Sequence, residues 1–227
     1  MKFFDIDNAI RAGSKVALLI RHAERPPLDP GDTSFGATLP ITDRGRKTAE
    51  YLGMRLSHLV TPDRIRAYAS STLRTVQTAE SILKGVQEEG YAGPLGKVSI
   101  EPVLGSDSPF FGSLDERMAL IAEGRYRERL NDYFETGVQR GYTPLAAATD
   151  RMEGRLGALM PRAGGLTVAV THDVNVACFL AGRDVVTSFT EETWPFYLDA
   201  AVMIESTDGS RRYGVWRWDR TFDGIDL

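Results

Sequence analysis

Val16-Ala17-Leu18-Leu19-Ile20-Arg21-His22-Ala23-Glu24-Arg25-Pro26-Pro27 is the stretch around which the chain is organised. Its short apolar run reads as a buried strand. Two arginines then flank a histidine, and a proline pair closes the segment. A strand that ends in a polar loop is the usual place for a site in an α/β protein. Arg21 and Arg25 present planar, permanently charged forks of donors that fit the oxygens of a phosphate-like anion. Between them His22 is biased towards its neutral form, because like charges disfavour protonation. A neutral imidazole facing a bound phosphate is a nucleophile.

Further along, strand-to-helix junctions recur. Thr42 is a plausible N-cap with Asp43 in the first turn, and Ala49, Leu52, Leu56 and Leu59 follow at helical spacing. His58 falls off that stripe, towards solvent. Arg64–Ser70 reads as a second strand. A helix follows from Ser71, with Leu73, Val76, Leu83 and Val86 on its apolar face. Arg74 lies in its first turn, at the end of a helix that attracts anions. Lys97–Val103 reads as a third strand after a turn at 90–96. Two helical patterns follow, Leu114 to Phe134 and Leu145 to Leu159. Leu166–Thr171 is a fourth, strongly apolar strand ending at His172-Asp173, where another helix begins. Ala200–Ile204 and Tyr213–Trp218 flank an Asp208-Gly209 turn and read as a hairpin. The 26–40 loop with Phe35, the 105–112 loop with Phe110-Phe111, and Trp194 are candidate walls of a pocket.

The chain has 227 residues, a formal net charge of -4, 42% hydrophobic and 26% charged residues. These values fit one soluble globular domain and give no global attraction to nucleic acid. Any anion site must be a local positive cluster. Cys178 is the single cysteine, so no intramolecular disulfide forms, and its apolar setting reads as a buried, inert thiol. The first residues carry acids where a signal peptide needs an apolar run, and no stretch is long enough to span a membrane; a cytoplasmic location is expected. No spacing of His, Cys and carboxylates suggests a metal site, and no cofactor is expected. Oligomeric state is not legible.

Taken together, separate strand ends carry Arg21-His22, Arg74 and His172-Asp173. Parallel strands place their carboxyl ends along one sheet edge, so these residues should converge. At this point the sequence resembles the histidine phosphatase superfamily, which includes phosphoglycerate mutases and histidine acid phosphatases. Arg21-His22-Ala23-Glu24-Arg25-Pro26 is similar to the acid-phosphatase branch's Arg-His-Gly segment followed by Arg-x-Pro, with Ala23 in place of glycine. Thr42-Asp43-Arg44-Gly45 resembles the family's opening of its first helix. Ser70, Arg74 and Gln77-Thr78-Ala79 resemble its Ser-x-x-x-Arg-Thr-x-Gln-Thr-Ala segment, and His172-Asp173-Val174-Asn175 its His-Asp-x-Asn segment.

The resemblance implies a three-layer α/β/α sandwich with a mostly parallel central sheet. The chain reads as one domain over 1–227, and its helical patterns around 105–161, a region that carries no match to the family, are expected to form a lid or insertion. The resemblance also implies a phosphomonoester hydrolase, with a small phosphomonoester as substrate. His22 would carry the phosphoryl group; Arg21, Arg25 and Arg74 would clamp the phosphate oxygens; His172 would add a donor. Asp173 would protonate the leaving oxygen and then activate water. Glu101 is the rival acid and a candidate substrate-binding residue, since a glutamate after the second helix takes the acid's part in the mutase-like branch. Glu24 is a weaker rival. A phosphoglycerate-mutase-like phosphotransferase is the alternative activity, and a non-catalytic phosphate-binding module the alternative from another class.

Overall fold

The structure, a computed structural model, describes residues 3–29, 36–88, 96–161 and 164–218. Phe35 and most of the 90–96 turn lie outside them. The element order is α1 (Phe3–Arg11), β1 (Lys15–Arg21), α2 (Asp43–Ser57), β2 (Ile65–Ala69), α3 (Leu73–Glu88) and β3 (Ser99–Ile100). Then follow α4 (Leu114–Ala122), α5 (Tyr126–Thr136), α6 (Leu145–Leu159), β4 (Leu166–Thr171), α7 (Asp173–Gly182), β5 (Ala200–Glu205) and β6 (Arg211–Trp216).

One six-stranded sheet has the order β3-β2-β4-β1-β5-β6. The β1, β2, β3 and β4 pairings are parallel, and β5 and β6 add an antiparallel hairpin beside β1. The sheet is therefore mixed, with the expected hairpin at one edge. Alternation along the central strands splits the core between two faces. Val16, Leu18 and Ile20 of β1 join Val168 and Val170 of β4 against α1, α2 and α3. Ala17 and Leu19 join Ala169 against α4, α5, α6 and α7. This is the three-layer arrangement. Each fully buried Leu or Ile contributes about 1.5–3 kcal/mol by leaving water.

Several elements differ from the sequence reading. Helix α1 had no counterpart there. The third strand is only Ser99–Ile100, because Pro102 has no N–H for a ladder and opens a 3-10 turn over Pro102–Leu104. The 114–134 pattern is two helices, broken where Gly124 takes a left-handed φ of 73°. Leu73 is not on the buried face of α3 but 39% exposed, because it is the first residue of that helix. Phe110 does not border the site; it is fully buried in the second core, and Phe111 packs there under Arg117. Helices α2 and α3 approach so closely that a Cβ on Gly53 would strike the Ile82 carbonyl, and one on Gly85 the Glu50 carbonyl. That close contact fixes where the N-terminus of α3, and Arg74 with it, sits over the sheet edge.

Candidate active site

Register explains the convergence. Arg21 of β1 is level with Thr171 of β4, and Ala69 of β2 with Val170. One residue further, His22, His172 and Ser70 leave the sheet side by side. The His22 N–H still donates to the Thr171 carbonyl (2.9 Å), and the Ser70 N–H to that of Val170 (3.1 Å). The two imidazole centroids are 5.6 Å apart.

His22 is 3% exposed. Its Nδ1 is 2.8 Å from the Ala23 carbonyl oxygen, which can only accept, so Nδ1 carries the proton. Nε2 then holds a lone pair, and the Arg74 Nε–H donates to it at 3.2 Å. The Ala23 peptide is itself fixed: its N–H donates to Thr78 Oγ1 (3.0 Å), whose hydroxyl donates to the Arg74 carbonyl (2.7 Å). Thr78 thus ties the His22 segment to the helix that carries Arg74. Its position one turn after Arg74 in the quoted motif was the available signal, but the sequence reading gave it no role.

Arg74 also donates from Nη1 to the Gly36 carbonyl (2.5 Å), and its Nη2 lies 3.3 Å from His172 Nδ1. On the other side of that ring, Nε2 is 3.2 Å from Ser70 Oγ. Because the guanidinium can only donate, His172 carries its proton on Nε2 and gives it to Ser70. The 42–45 segment supports the same corner. Thr42 caps α2 through the Gly45 N–H (2.9 Å) and donates its own N–H to the Glu24 carbonyl (2.9 Å). A Cβ on Gly45 would strike that same carbonyl.

Arg21 donates from Nη1 to the Pro195 carbonyl (2.8 Å), and its Nη2 is 3.3 Å from Asp173 Oδ2. The Tyr197 ring lies 4.4 Å from its guanidinium carbon. Its buried Nε has no hydrogen-bond partner, and neither has that of Arg25. Arg25 donates to the Pro26 carbonyl (2.7 Å). Asp173 accepts at Oδ1 from its following Val174 N–H (2.9 Å) and at Oδ2 from Trp194 Nε1 (3.1 Å). Trp194 and Tyr197 come from the segment between α7 and β5; Trp194 is a candidate pocket wall from sequence, and Tyr197 has no role there.

Not every candidate joins this cluster. Glu101 is gripped in a fork by Arg155, Nε to Oε2 at 2.9 Å and Nη2 to Oε1 at 2.6 Å, and none of its hydrogen bonds reaches His22, Arg74 or His172. Glu24 lies 3.9 Å from Arg44. Cys178 is fully buried, and burial pushes its thiol pKa up, so it stays protonated. Among the described residues no group of three or more His, Cys, Asp or Glu could hold a metal ion, and no helix is long and apolar enough to cross a membrane.

The electrostatics follow from burial among guanidiniums. Burial, then His172, Arg74 and Arg21, hold the His22 pKa well below 6.5; the Ala23 carbonyl opposes them. Burial and Arg74 bring His172 down to about 4. Burial and Arg25 lower Arg74 to about 10, still charged at neutral pH. For Asp173 burial pushes upward, but Arg21 and the Trp194 indole outweigh it, and the carboxyl stays below its ordinary value. The resting site therefore has neutral imidazoles, charged arginines and one carboxylate, an arrangement with surplus positive charge.

A stability prediction arises here. The unfolded chain binds protons on both imidazoles near pH 6.5, while the folded chain resists, so acidification favours unfolding. For His172 the window runs from 6.5 down to about 4. Across it about 3 kcal/mol of stability is lost as pH falls, and His22 acts in the same direction. Urea midpoints measured from pH 7 to pH 4 should drop more steeply for the wild type than for a His22→Ala, His172→Ala double variant. Parallel curves would refute the buried neutral imidazoles.

Solved structures share the fold. A phosphoglycerate mutase from Bacillus anthracis aligns over 89% of this chain and 93% of its own, with a TM-score of 0.53 and 16% identity. A mycobacterial glucosyl-3-phosphoglycerate phosphatase aligns over 91% and 99%, with a TM-score of 0.55 and 16% identity. Among curated proteins, the mitochondrial serine/threonine-protein phosphatase Pgam5 of Drosophila yakuba is 38% identical over 86 residues. That match spans 37% of this chain and 28% of the relative, so little more than a quarter of the curated protein is covered. The nearer likeness to the acid-phosphatase branch is not confirmed by these matches. The family model that fits residues 17–205 is that of the histidine phosphatase superfamily (branch 1), and with most of its length matched the chain belongs to that superfamily.

Proposed function

We propose that the chain is a metal-independent phosphomonoester hydrolase that carries the phosphoryl group on Nε2 of His22. The observation that supports this most is the His22 tautomer: Nδ1–H committed to the Ala23 carbonyl, and the Nε2 lone pair turned towards Arg74. A nucleophile must be unprotonated at the attacking atom and held in place, and the hydrogen bonds at both ring nitrogens support that reading of His22.

A phosphate dianion arriving between the guanidiniums takes up the donors that Arg74 now spends on the imidazoles and that Arg21 directs at Asp173. The unpartnered Nε groups of Arg21 and Arg25 are further donors in the same neighbourhood. Catalysis of phosphoryl transfer is chiefly positioning and stabilisation of charge on the equatorial oxygens, which such a cluster supplies. The bound anion also weakens the hold of Arg21 on Asp173 and raises its carboxyl pKa, so Asp173 takes a proton from solvent. Nε2 attacks phosphorus as the bond to the leaving oxygen breaks, and Asp173 gives that oxygen its proton. The resulting Asp173 carboxylate then removes a proton from water. The hydroxide displaces His22 from phosphorus; as phosphate leaves, Arg21 pairs again with Asp173, whose proton returns to solvent, and the enzyme is restored.

The test is a panel of phosphomonoesters with wild type and His22→Ala in parallel, with acid-quenched intact mass and a chelator arm. Turnover of one or more esters, a phosphorylated His22, and full activity in EDTA are the expected results. Loss of activity in EDTA would refute the metal-free chemistry. Transfer to a second alcohol in place of water would make the enzyme a phosphotransferase.

A further inference from the structure

Beside the catalytic cluster lies a cleft of about 120 Å³, lined by Glu24, Arg44, Thr48, Phe196, Tyr197 and Trp218. Nothing in phosphoryl transfer itself uses it. We propose that it is the leaving-group subsite, and that it selects phosphomonoesters whose alcohol carries a flat unsaturated ring. This rests on the hydrolase reading above.

The cleft and the phosphate site share a wall. Tyr197 covers the Arg21 guanidinium at 4.4 Å, and its ring centroid is 5.8 Å from that of His22. Glu24 is two residues beyond His22 in the chain. Arg21, Arg25, Arg74 and His22 do not line the cleft themselves, so an ester whose phosphate meets them would reach it past Tyr197. Three of its lining residues are aromatic, beside the polar Glu24, Arg44 and Thr48. Phe196 is 44% exposed and meets Tyr197 edge-on at 5.3 Å, and half-buried Trp218 lies 5.9 Å from Trp216. Large exposed aromatics gathered at a concave surface mark binding sites.

The wall is also held firmly. Arg21 donates to the Pro195 carbonyl, and the Leu198 N–H donates back to the Arg21 carbonyl (3.1 Å). Asp199 accepts from the Phe196 N–H (2.9 Å), the Trp218 N–H (2.8 Å) and Arg217 (2.7 Å). Leu198 itself is kept at a φ of 63°, a left-handed conformation that a leucine rarely adopts. Strain of this kind persists where the surroundings over-determine it, and it clusters at ligand sites. Here it turns Phe196 and Tyr197 towards the cleft while the strand below carries His22.

Size and chemistry narrow the ligand. At about 120 Å³ the cleft is smaller than a cavity of about 150 Å³ that encloses a benzene ring, so it takes at most one flat ring, partly enclosed. Aromatic faces take any flat π-system, and the Glu24 carboxylate accepts from N–H or O–H groups on its edge. Pyrimidine nucleosides and aryl alcohols share this chemistry; glycerol and other small aliphatic alcohols leave the cleft empty.

The experiment compares kcat/KM for phenyl phosphate, pyrimidine nucleoside 5′-monophosphates and glycerol phosphate in wild type, Phe196→Ala, Glu24→Gln and Thr48→Phe, which fills the cleft. In Phe196→Ala the ratio of kcat/KM for ring-bearing esters to that for glycerol phosphate should fall about ten-fold, chiefly through KM. Thr48→Phe should lower the same ratio. Glu24→Gln should lower it for nucleotides and not for phenyl phosphate if the nucleoside is the ring; no effect on either makes the aryl alcohol the ring. An unchanged ratio in both Phe196→Ala and Thr48→Phe overturns the subsite while a phosphorylated His22 leaves the hydrolase standing. If no ester phosphorylates His22, the hydrolase reading falls and the subsite with it.

Discussion

His22→Ala is expected to lower turnover of every phosphomonoester by about 10⁴-fold or more, because removing the atom that forms the covalent bond leaves only the binding and electrostatic contribution of the arginines. Stability should move little near pH 7 and improve relative to wild type in acid, because a buried imidazole that resists protonation is gone. His22→Asn, closer in size, guards against a packing artefact. Circular dichroism and urea midpoints establish folding, kcat on p-nitrophenyl phosphate gives the loss, and intact mass shows no phosphoenzyme. Residual turnover within about ten-fold of wild type in a folded His22→Ala protein would reject the nucleophile, since covalent catalysis cannot persist once the bond-forming atom is gone.

Asp173→Asn carries the second large effect, and its size should depend on the leaving group. General acid help is worth about 10²–10⁴-fold, so kcat/KM for glycerol phosphate should fall by about 10³, while p-nitrophenyl phosphate, whose anion leaves unaided, should lose about ten-fold or less. Asparagine keeps one oxygen, enough to accept from the Val174 N–H, but its amide nitrogen cannot accept from Trp194 Nε1; the ionisable carboxyl, its charge opposite Arg21 and the Trp194 hydrogen bond are lost together. Glu101→Gln is the control. Its carboxylate belongs to the Arg155 pair, which is partly exposed, and breaking such a pair costs about 1 kcal/mol or less of stability. Equal losses on both esters in Asp173→Asn, or a larger loss in Glu101→Gln, would move the acid role to Glu101.

Much of this site was legible in one dimension because its residues sit at strand ends. Strands such as Val16–Ile20 and Leu166–Thr171 are read from apolar, β-branched runs, and chain direction then fixes which end carries Arg21-His22 or His172-Asp173. Arg74 was legible for the same reason, one helical turn past Ser70. The Glu101 question was not. Two carboxylates suit an acid equally by type, and only folding shows that Arg155, 54 residues away, holds one of them while Arg21 and Trp194 hold the other. The roles of Phe110 and Phe111 failed likewise: an aromatic in a loop has no periodicity to say which way it turns, and here the second core took them.

By itself the sequence determined the order of the strands and most of the helices that follow β1, the acidic, disulfide-free character of the chain, and which residue types would meet at one sheet edge, because those follow from local periodicity and from the parallel run of strands. Tertiary structure alone decided the protonated nitrogen of each histidine, the ionised state of Asp173, and the aromatic wall of Phe196, Tyr197 and Trp218 beside the nucleophile. Those depend on carbonyls, guanidiniums and rings brought together from distant parts of the chain, where burial strengthens each electrostatic contact and no pattern within a single segment records the partner.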